Sequence, residues 1–148
     1  MITRYDRRAF LGTTAALGAA TALLPYMSFA AEGTLTADLG KVSDLDSGDP
    51  VFVNALFRDD SGKQADELKL YVRAVKTGDS LDWVVLSAIC THLKCKIKYD
   101  GGEKKFVCPC HKSTFDLSGK VLKKPAKKPL PEYSDCVHEE NGQLIMTK

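Results

Sequence analysis

Cys90-Thr91-His92-Leu93-Lys94-Cys95 and Cys108-Pro109-Cys110-His111-Lys112-Ser113 are the two stretches on which the reading of this chain turns. Each offers one cysteine and one histidine as ligands and carries one cysteine more, and fifteen residues separate His92 from Cys108. Two thiolates and two imidazoles suit either a structural zinc site or a two-iron cluster in which histidines replace cysteines on one iron. Spacing separates the two. Zinc sites usually place two to four residues between paired ligands. Cys90 and His92 have only Thr91 between them, and two cysteines are left over. The donor set therefore points to a [2Fe–2S] cluster and to the chemistry of one-electron transfer.

Outward from these loops, no helix-period segment of useful length follows residue 31, and the alternation is that of strands. Leu35–Leu39, Val51–Phe57, Leu68–Val75 and Trp83–Ile89 read as strands. The last is an apolar run that feeds the first cysteine–histidine loop. In the third, Leu68, Leu70, Val72 and Ala74 face one way. Arg58–Glu67 is polar and reads as a loop around Ser61-Gly62, and Thr77-Gly78-Asp79 turns the chain. Lys96–Tyr99 and Lys104–Val107 flank Gly101-Gly102 as a hairpin joining the two loops. A short strand follows Ser118-Gly119 through Leu122. Lys123–Pro131 is too rich in Lys and Pro for a central strand. Glu132–Glu140 and Gln143–Thr147 flank Asn141-Gly142, the favoured two-residue hairpin turn. Many short strands with few helices predict an all-β domain of stacked antiparallel sheets over residues 31–148.

The two loops closely resemble those of the Rieske iron–sulfur family. The likeness covers residues 80–145 well and residues 31–75 only in general pattern. It implies stacked antiparallel sheets with one [2Fe–2S] cluster held by two loops at one tip. It implies that Cys90 and Cys108 bind one iron, and His92 and His111 the other. With those engaged, Cys95 and Cys110 remain beside them, and a bridge between them would tie the ligand loops together. Closing a loop of about 15 residues is worth roughly 3 kcal/mol in the chain-entropy picture. Cys136 is then odd. Cys136-Val137-His138 repeats the Cys-x-His spacing, but a period of two simply puts both on one strand face.

The resemblance also assigns surroundings. Ser113 aligns with a serine whose hydroxyl bonds a bridging sulfide and raises the potential. Phe115 stands where high-potential members often carry a tyrosine. Lys94 and Lys112 replace residues that are often glycine in quinol-oxidising members. Leu93 lies at the tip that meets a quinone pocket, with charged Lys94 after it. Lys124-Pro125-Ala126 is similar to the loop whose proline covers the cluster from a third side. Replacing two thiolates by neutral imidazoles raises the potential from ~−400 mV to roughly −150 to +300 mV.

The N-terminus is a separate matter. Arg7-Arg8 precedes a stretch, Ala9 to Ala31, without a single charge, and Ser28-Phe29-Ala30 has small residues at signal-peptidase spacing. Residues 1–30 read as a twin-arginine export signal cleaved after Ala30, or as a retained anchor that associates with the inner membrane through residues 9–31. Either way the destination is extracytoplasmic, in the periplasm.

Charge is unevenly placed. Residues 90–131 carry eleven lysines against Asp100, Glu103 and Asp116, whereas residues 31–89 carry eleven acidic and six basic residues. A basic tip on an acidic body predicts a redox partner with an acidic docking face, such as a cytochrome or a larger oxidoreductase subunit. Nucleic acid is excluded as a partner, since the chain reads as exported and has no basic–aromatic nucleic-acid motif. No nucleophile–base pair and no phosphate-binding glycine loop is present, so the chain reads as an electron carrier rather than a stand-alone enzyme. The resemblance implies the iron–sulfur component of a quinol–cytochrome c oxidoreductase, in which His92 or His111 accepts a hydrogen bond and a proton from quinol. The alternative it offers is the small electron-transfer subunit of a periplasmic molybdenum oxidoreductase of the arsenite oxidase type. The third reading is a structural zinc module.

Overall fold

Two separate antiparallel sheets, one of six strands and one of four, make up the described fold. The structure, a computed structural model, describes residues 34–148. The export-signal or anchor reading of residues 1–30 lies outside the described residues. Among the described residues no helix is long and apolar enough to cross a membrane.

The larger sheet holds β1 (Thr36–Lys41), β2 (Val51–Arg58), β3 (Gln64–Thr77), β4 (Ser80–Ser87), β9 (Val137–Glu140) and β10 (Gln143–Thr147), in the order β4-β3-β2-β1-β10-β9. The smaller one holds β5 (Lys98–Asp100), β6 (Lys105–Val107), β7 (Thr114–Phe115) and β8 (Val121–Lys123) in sequential order. A single-turn helix α1 (Val42–Leu45) and a 3-10 turn (Ser134–Cys136) complete the elements.

The centre of β3 explains how the sheets combine. Leu70 and Val72 point into one core with Phe57, Val85, Leu144 and Met146. Tyr71, between them, points the other way, into a second core with Leu86, Ile97, Phe106, Phe115, Cys90 and Cys108. Strand alternation thus serves two cores at once. Tyr71 also donates its hydroxyl to the Ile97 carbonyl at 3.3 Å and accepts the Tyr99 amide at 3.2 Å. The smaller sheet is therefore pinned to the larger by a buried aromatic with both hydrogen-bonding capacities used. A second tether lies at the surface, where the Tyr99 hydroxyl and the Lys104 ammonium both donate to Asp49 Oδ1 at 2.7 Å. Lys104 first, and then Tyr99, holds the Asp49 carboxyl below its ordinary range.

The free edge of β4 does not stay bare. Ser87 donates its amide to the Pro131 carbonyl and Tyr133 donates to the Val85 carbonyl, both at 2.8 Å. Trp83 Nε1 donates to Glu139 Oε1 at 2.8 Å, so the two edge strands β4 and β9 meet and the sheet is partly closed. Covering edges in this way removes a template for unwanted pairing.

The expected strands are present, with three differences. Residues 64–67 belong to β3 and not to a loop, because Leu56, Phe57 and Arg58 pair with Glu67, Asp66 and Gln64. Partner hydrogen bonds override the polar composition there. Residues 132–136 are not strand: Ser134–Cys136 is a 3-10 turn and only Val137–Glu140 pairs with β10. Cys136 and His138 therefore do not share a strand face. The β7 pairing of Thr114–Phe115 with β6, two residues long, is too short to read from periodicity.

One turn is used twice. In Asp59-Asp60-Ser61-Gly62-Lys63 and again in Asp116-Leu117-Ser118-Gly119-Lys120, the aspartate Oδ1 accepts from the Ser and Lys amides. The glycine amide donates to the aspartate carbonyl in each. The second copy is crowded as well as left-handed: Gly119 has φ +81°, and a Cβ there would lie 3.2 Å from Leu86 Cδ2 and 3.3 Å from Leu130 Cβ. Gly119→Ala should therefore cost more than the roughly 1–2 kcal/mol of the left-handed conformation alone. Gly62→Ala, with nothing within 4 Å of its Cβ, should cost only that. Paired urea melts compare the two.

Candidate metal centre

The two cysteine–histidine loops are the same structure made twice. Cys90 donates its amide to the Cys95 carbonyl and Cys108 to the Ser113 carbonyl, both at 2.8 Å. Lys94 donates back to the Cys90 carbonyl and Lys112 to the Cys108 carbonyl, both at 3.0 Å. Lys94 and Lys112 sit at φ 58° and 59°, left-handed positions that ordinarily favour glycine. The reversal they make lets each short loop turn back on its first cysteine.

The loops stand at the end of the second core. The first follows β4 after the isolated bridge between Ile89 and Lys96. The second joins β6 to β7. Cys95 and Cys110 are disulfide-bonded across them, with Cα atoms 6.5 Å apart. Cys108 Sγ lies within 4.8 Å of both bridge sulfurs, but two of those three sulfurs are spent on each other, so the trio is not a three-thiolate metal site.

The expected ligands come together as two pairs, the cysteines with each other and the histidines with each other, at different depths. Cys90 is 0% and Cys108 1% exposed, and their side chains are hydrogen-bonded to each other. Burial pushes the Cys90 thiol up, partly opposed by the backbone amides of His92 and Leu93 donating to its sulfur. Those amides are placed to stabilise a thiolate once a metal has displaced the proton. His92 is half-buried and His111 exposed. Their rings lie edge to face, with centroids 4.9 Å apart. Nδ1 of His92 is buried and has no hydrogen-bond partner. A buried nitrogen left unpaired is costly unless it binds something, and it is a soft-to-intermediate donor suited to iron.

The surroundings are also assembled. Ser113 is wholly buried and its Oγ accepts the Ala126 amide at 2.9 Å, which leaves its proton free to be donated elsewhere. Phe115 is wholly buried in the same core as Cys90 and Cys108. Thr91 Oγ1 donates to the Lys128 carbonyl at 2.7 Å, fastening the first loop to the segment that carries Pro125. Pro125 lines a hollow of about 410 Å³ with Thr91, His92, Lys127 and Lys128. Leu93, at 60% exposure, is among the most exposed large apolar side chains described. Cys136 packs against the other core, away from these loops. The left-handed lysines and the Thr91–Lys128 bond are parts of the site that sequence reading did not find. A residue type gives no sign of positive φ when it is not glycine.

Comparison with known proteins agrees with this geometry. Residues 36–134 match the family model described as "Rieske [2Fe-2S] domain". The ubiquinol-cytochrome c reductase iron-sulfur subunit of Bradyrhizobium diazoefficiens is 32% identical, over 86% of this chain and 88% of its own. The cytochrome b6-f complex iron-sulfur subunit of Prochlorococcus marinus (strain AS9601) is 48% identical over 52 residues; the match spans 35% of this chain and only 29% of the relative. The crystal structure of a plasma membrane Rieske protein from Synechocystis PCC 6803 aligns with a TM-score of 0.51 at 28% identity, covering 75% of this chain and 97% of that one. A fold of stacked antiparallel sheets ending in two fastened cysteine–histidine loops is that of an iron–sulfur electron-transfer domain. The chain belongs to the Rieske [2Fe–2S] family. The cofactor of the family is a [2Fe–2S] cluster, and the zinc reading falls.

The two lysines in glycine-like conformation give a stability test. Lys94→Gly and Lys112→Gly should each raise the urea midpoint, by an amount worth up to about 1 kcal/mol, because removing left-handed strain outweighs glycine's entropy cost. Unfolding followed by far-UV circular dichroism measures it.

Proposed function

We propose that Cys90 and Cys108 hold one iron and His92 and His111 the other, and that the protein carries single electrons as the iron–sulfur component of a quinol–cytochrome c oxidoreductase-type complex. The observation that carries this reading is the sorting by depth: two buried thiols below, two imidazoles above, and the buried His92 Nδ1 unpaired. When bound, the cluster supplies a one-electron couple whose potential histidine ligation raises.

The residues of the chain divide the remaining work. Cys90 and Cys108 keep their sulfurs out of water, and the His92 and Leu93 amides stabilise charge on Cys90. Ser113 offers a hydroxyl proton from a buried, fixed position, which favours extra negative charge nearby. His111 is exposed and His92 half-buried, and with one ring nitrogen on iron each would keep a second for a partner's hydrogen bond or proton. Leu93 presents an apolar contact beside them. Lys94, Lys112, Lys127 and Lys128 are exposed around the same tip. They favour a partner with an acidic docking face, a cytochrome or a larger oxidoreductase subunit. The same charged rim, and the absence of a hydroxyl on Phe115, support a second reading: the small subunit of a periplasmic molybdenum oxidoreductase. Arg7-Arg8 and the uncharged run after it support export by the twin-arginine route, with residues 1–30 cleaved or kept as an anchor.

Three measurements test this. Purified protein should carry two irons and two labile sulfides per chain, and Cys90→Ser, Cys108→Ser, His92→Ala or His111→Ala should each abolish or severely deplete them; stoichiometric zinc without sulfide would sink the assignment. Voltammetry should find the potential lowered in Ser113→Ala and raised in Phe115→Tyr, where a hydroxyl donor is added beside the cysteine core. Electron transfer to the physiological partner should slow with salt as the Debye length falls to ~8 Å and below. It should slow again when Lys94, Lys112, Lys127 and Lys128 are changed to Glu, with the cluster's spectrum intact.

A further inference from the structure

The trio of sulfurs at the loop junction has a reactivity of its own. Cys108 is a free thiol, 1% exposed, with its sulfur within 4.8 Å of both sulfurs of the Cys95–Cys110 bridge. Thiol–disulfide exchange needs only a thiolate able to reach one sulfur of a disulfide. Here attacker and target are held together by the fold, so the reaction is intramolecular and needs no access from solvent. Cys90, the other free thiol at the site, is the second assigned ligand; Cys136, the third free thiol, packs against the opposite core and does not compete.

We propose that Cys108 exchanges with the Cys95–Cys110 bridge whenever the cluster is lost, converting it to a Cys95–Cys108 bridge, and that the bound cluster is what prevents this. The inference rests on the ligand assignment above, since it is iron that occupies the Cys108 sulfur. The step balances without an oxidant or a reductant. The Cys108 thiolate forms a bond to Cys95 Sγ, the Cys95–Cys110 bond breaks, and the proton lost by Cys108 ends on Cys110. One disulfide and three thiols are present before and after. Attack on Cys110 instead would join two residues of one loop and release the tie between the loops, whereas the Cys95–Cys108 product keeps them joined. In both cases a ligand is consumed. The exchange is redox-neutral, so the cluster-free chain partitions between the two pairings, and the chains paired through Cys108 lack a ligand until they exchange back or a thiol reductant opens the bridge.

The experiment uses the full chain with its cluster loaded, under anaerobic conditions. A chelator removes the iron, samples are acid-quenched at intervals, thiols are alkylated, and peptides are mapped. Loaded protein should show only Cys95–Cys110, with Cys108 protected from alkylation. After iron removal, a disulfide containing Cys108 should replace it in most molecules over about minutes to hours, the range of uncatalysed rearrangement. In parallel, the yield of reconstitution with ferrous iron and sulfide should fall severalfold with the delay before reconstitution, and dithiothreitol should restore it. Cys90→Ser, which keeps Cys108, should show the exchange from the outset; Cys136→Ser should behave as the parent. If Cys108 is protected in the loaded protein and Cys95–Cys110 persists unchanged after iron removal, with a yield independent of delay, exchange is overturned while the ligand assignment stands. If Cys108 exchanges equally in loaded protein, the cluster is no guard, and the ligand assignment falls together with the proposal.

Discussion

The site depends on one constraint: two loops distant in sequence must be held side by side at the end of the second core. The Cys95–Cys110 bridge meets it by joining the loops directly, and the rest follows from where that bridge places them. Cys90 and Cys108 come side by side at the floor, and His92 and His111 edge to face above. Each loop also carries its own internal brace, the bond from the Cys90 amide to the Cys95 carbonyl or from the Cys108 amide to the Ser113 carbonyl, answered by the Lys94 or Lys112 amide bonding back to the first cysteine's carbonyl. With both braces formed, the two cysteine–histidine pairs hang from two turns joined at one covalent point. Preorganisation of this kind spares the cost of ordering the ligands when the metal group arrives.

The larger sheet serves this tip indirectly. The middle of β3 and the end of β4 are buried on both faces, so the core of Phe57, Leu70, Val72 and Val85 stabilises one side while Tyr71 and Leu86 form the floor for the other. Tyr71 is the residue where the two roles meet, because its ring packs 4.9 Å from Phe106 and its hydroxyl grips the backbone at Ile97 and Tyr99. Energy from burying the main core is thereby passed to a hairpin too small to be stable alone. Charge is separated along the chain as well: residues 90–131, which carry the two loops, are lysine-rich, and residues 31–89 are net acidic.

What could be read from the chain followed what local chemistry determines. The [2Fe–2S] family and the two bridged cysteines were legible because ligation restricts residue type and spacing together. Asn141-Gly142 was legible because both positions require positive φ, observed at 51° and 77°. Residues 64–67 were not, since their extended form comes from pairing with β2 and not from their own preference. The 3-10 turn at Ser134–Cys136 was hidden for the same reason: the segment is fixed by Tyr133 bonding to β4 and by the Ser134 hydroxyl accepting the Val85 amide. Lys94 and Lys112 mislead most, because their strained conformation is imposed by the loop and leaves no mark in the residue chosen.

The central claim is that one iron has two nitrogen ligands supplied by His92 and His111. Electron–nuclear double resonance on the reduced protein, grown with histidine labelled by nitrogen-15, measures this directly. The account predicts two inequivalent, strongly coupled histidine nitrogens. Strong coupling to one nitrogen only, or to none, would contradict it.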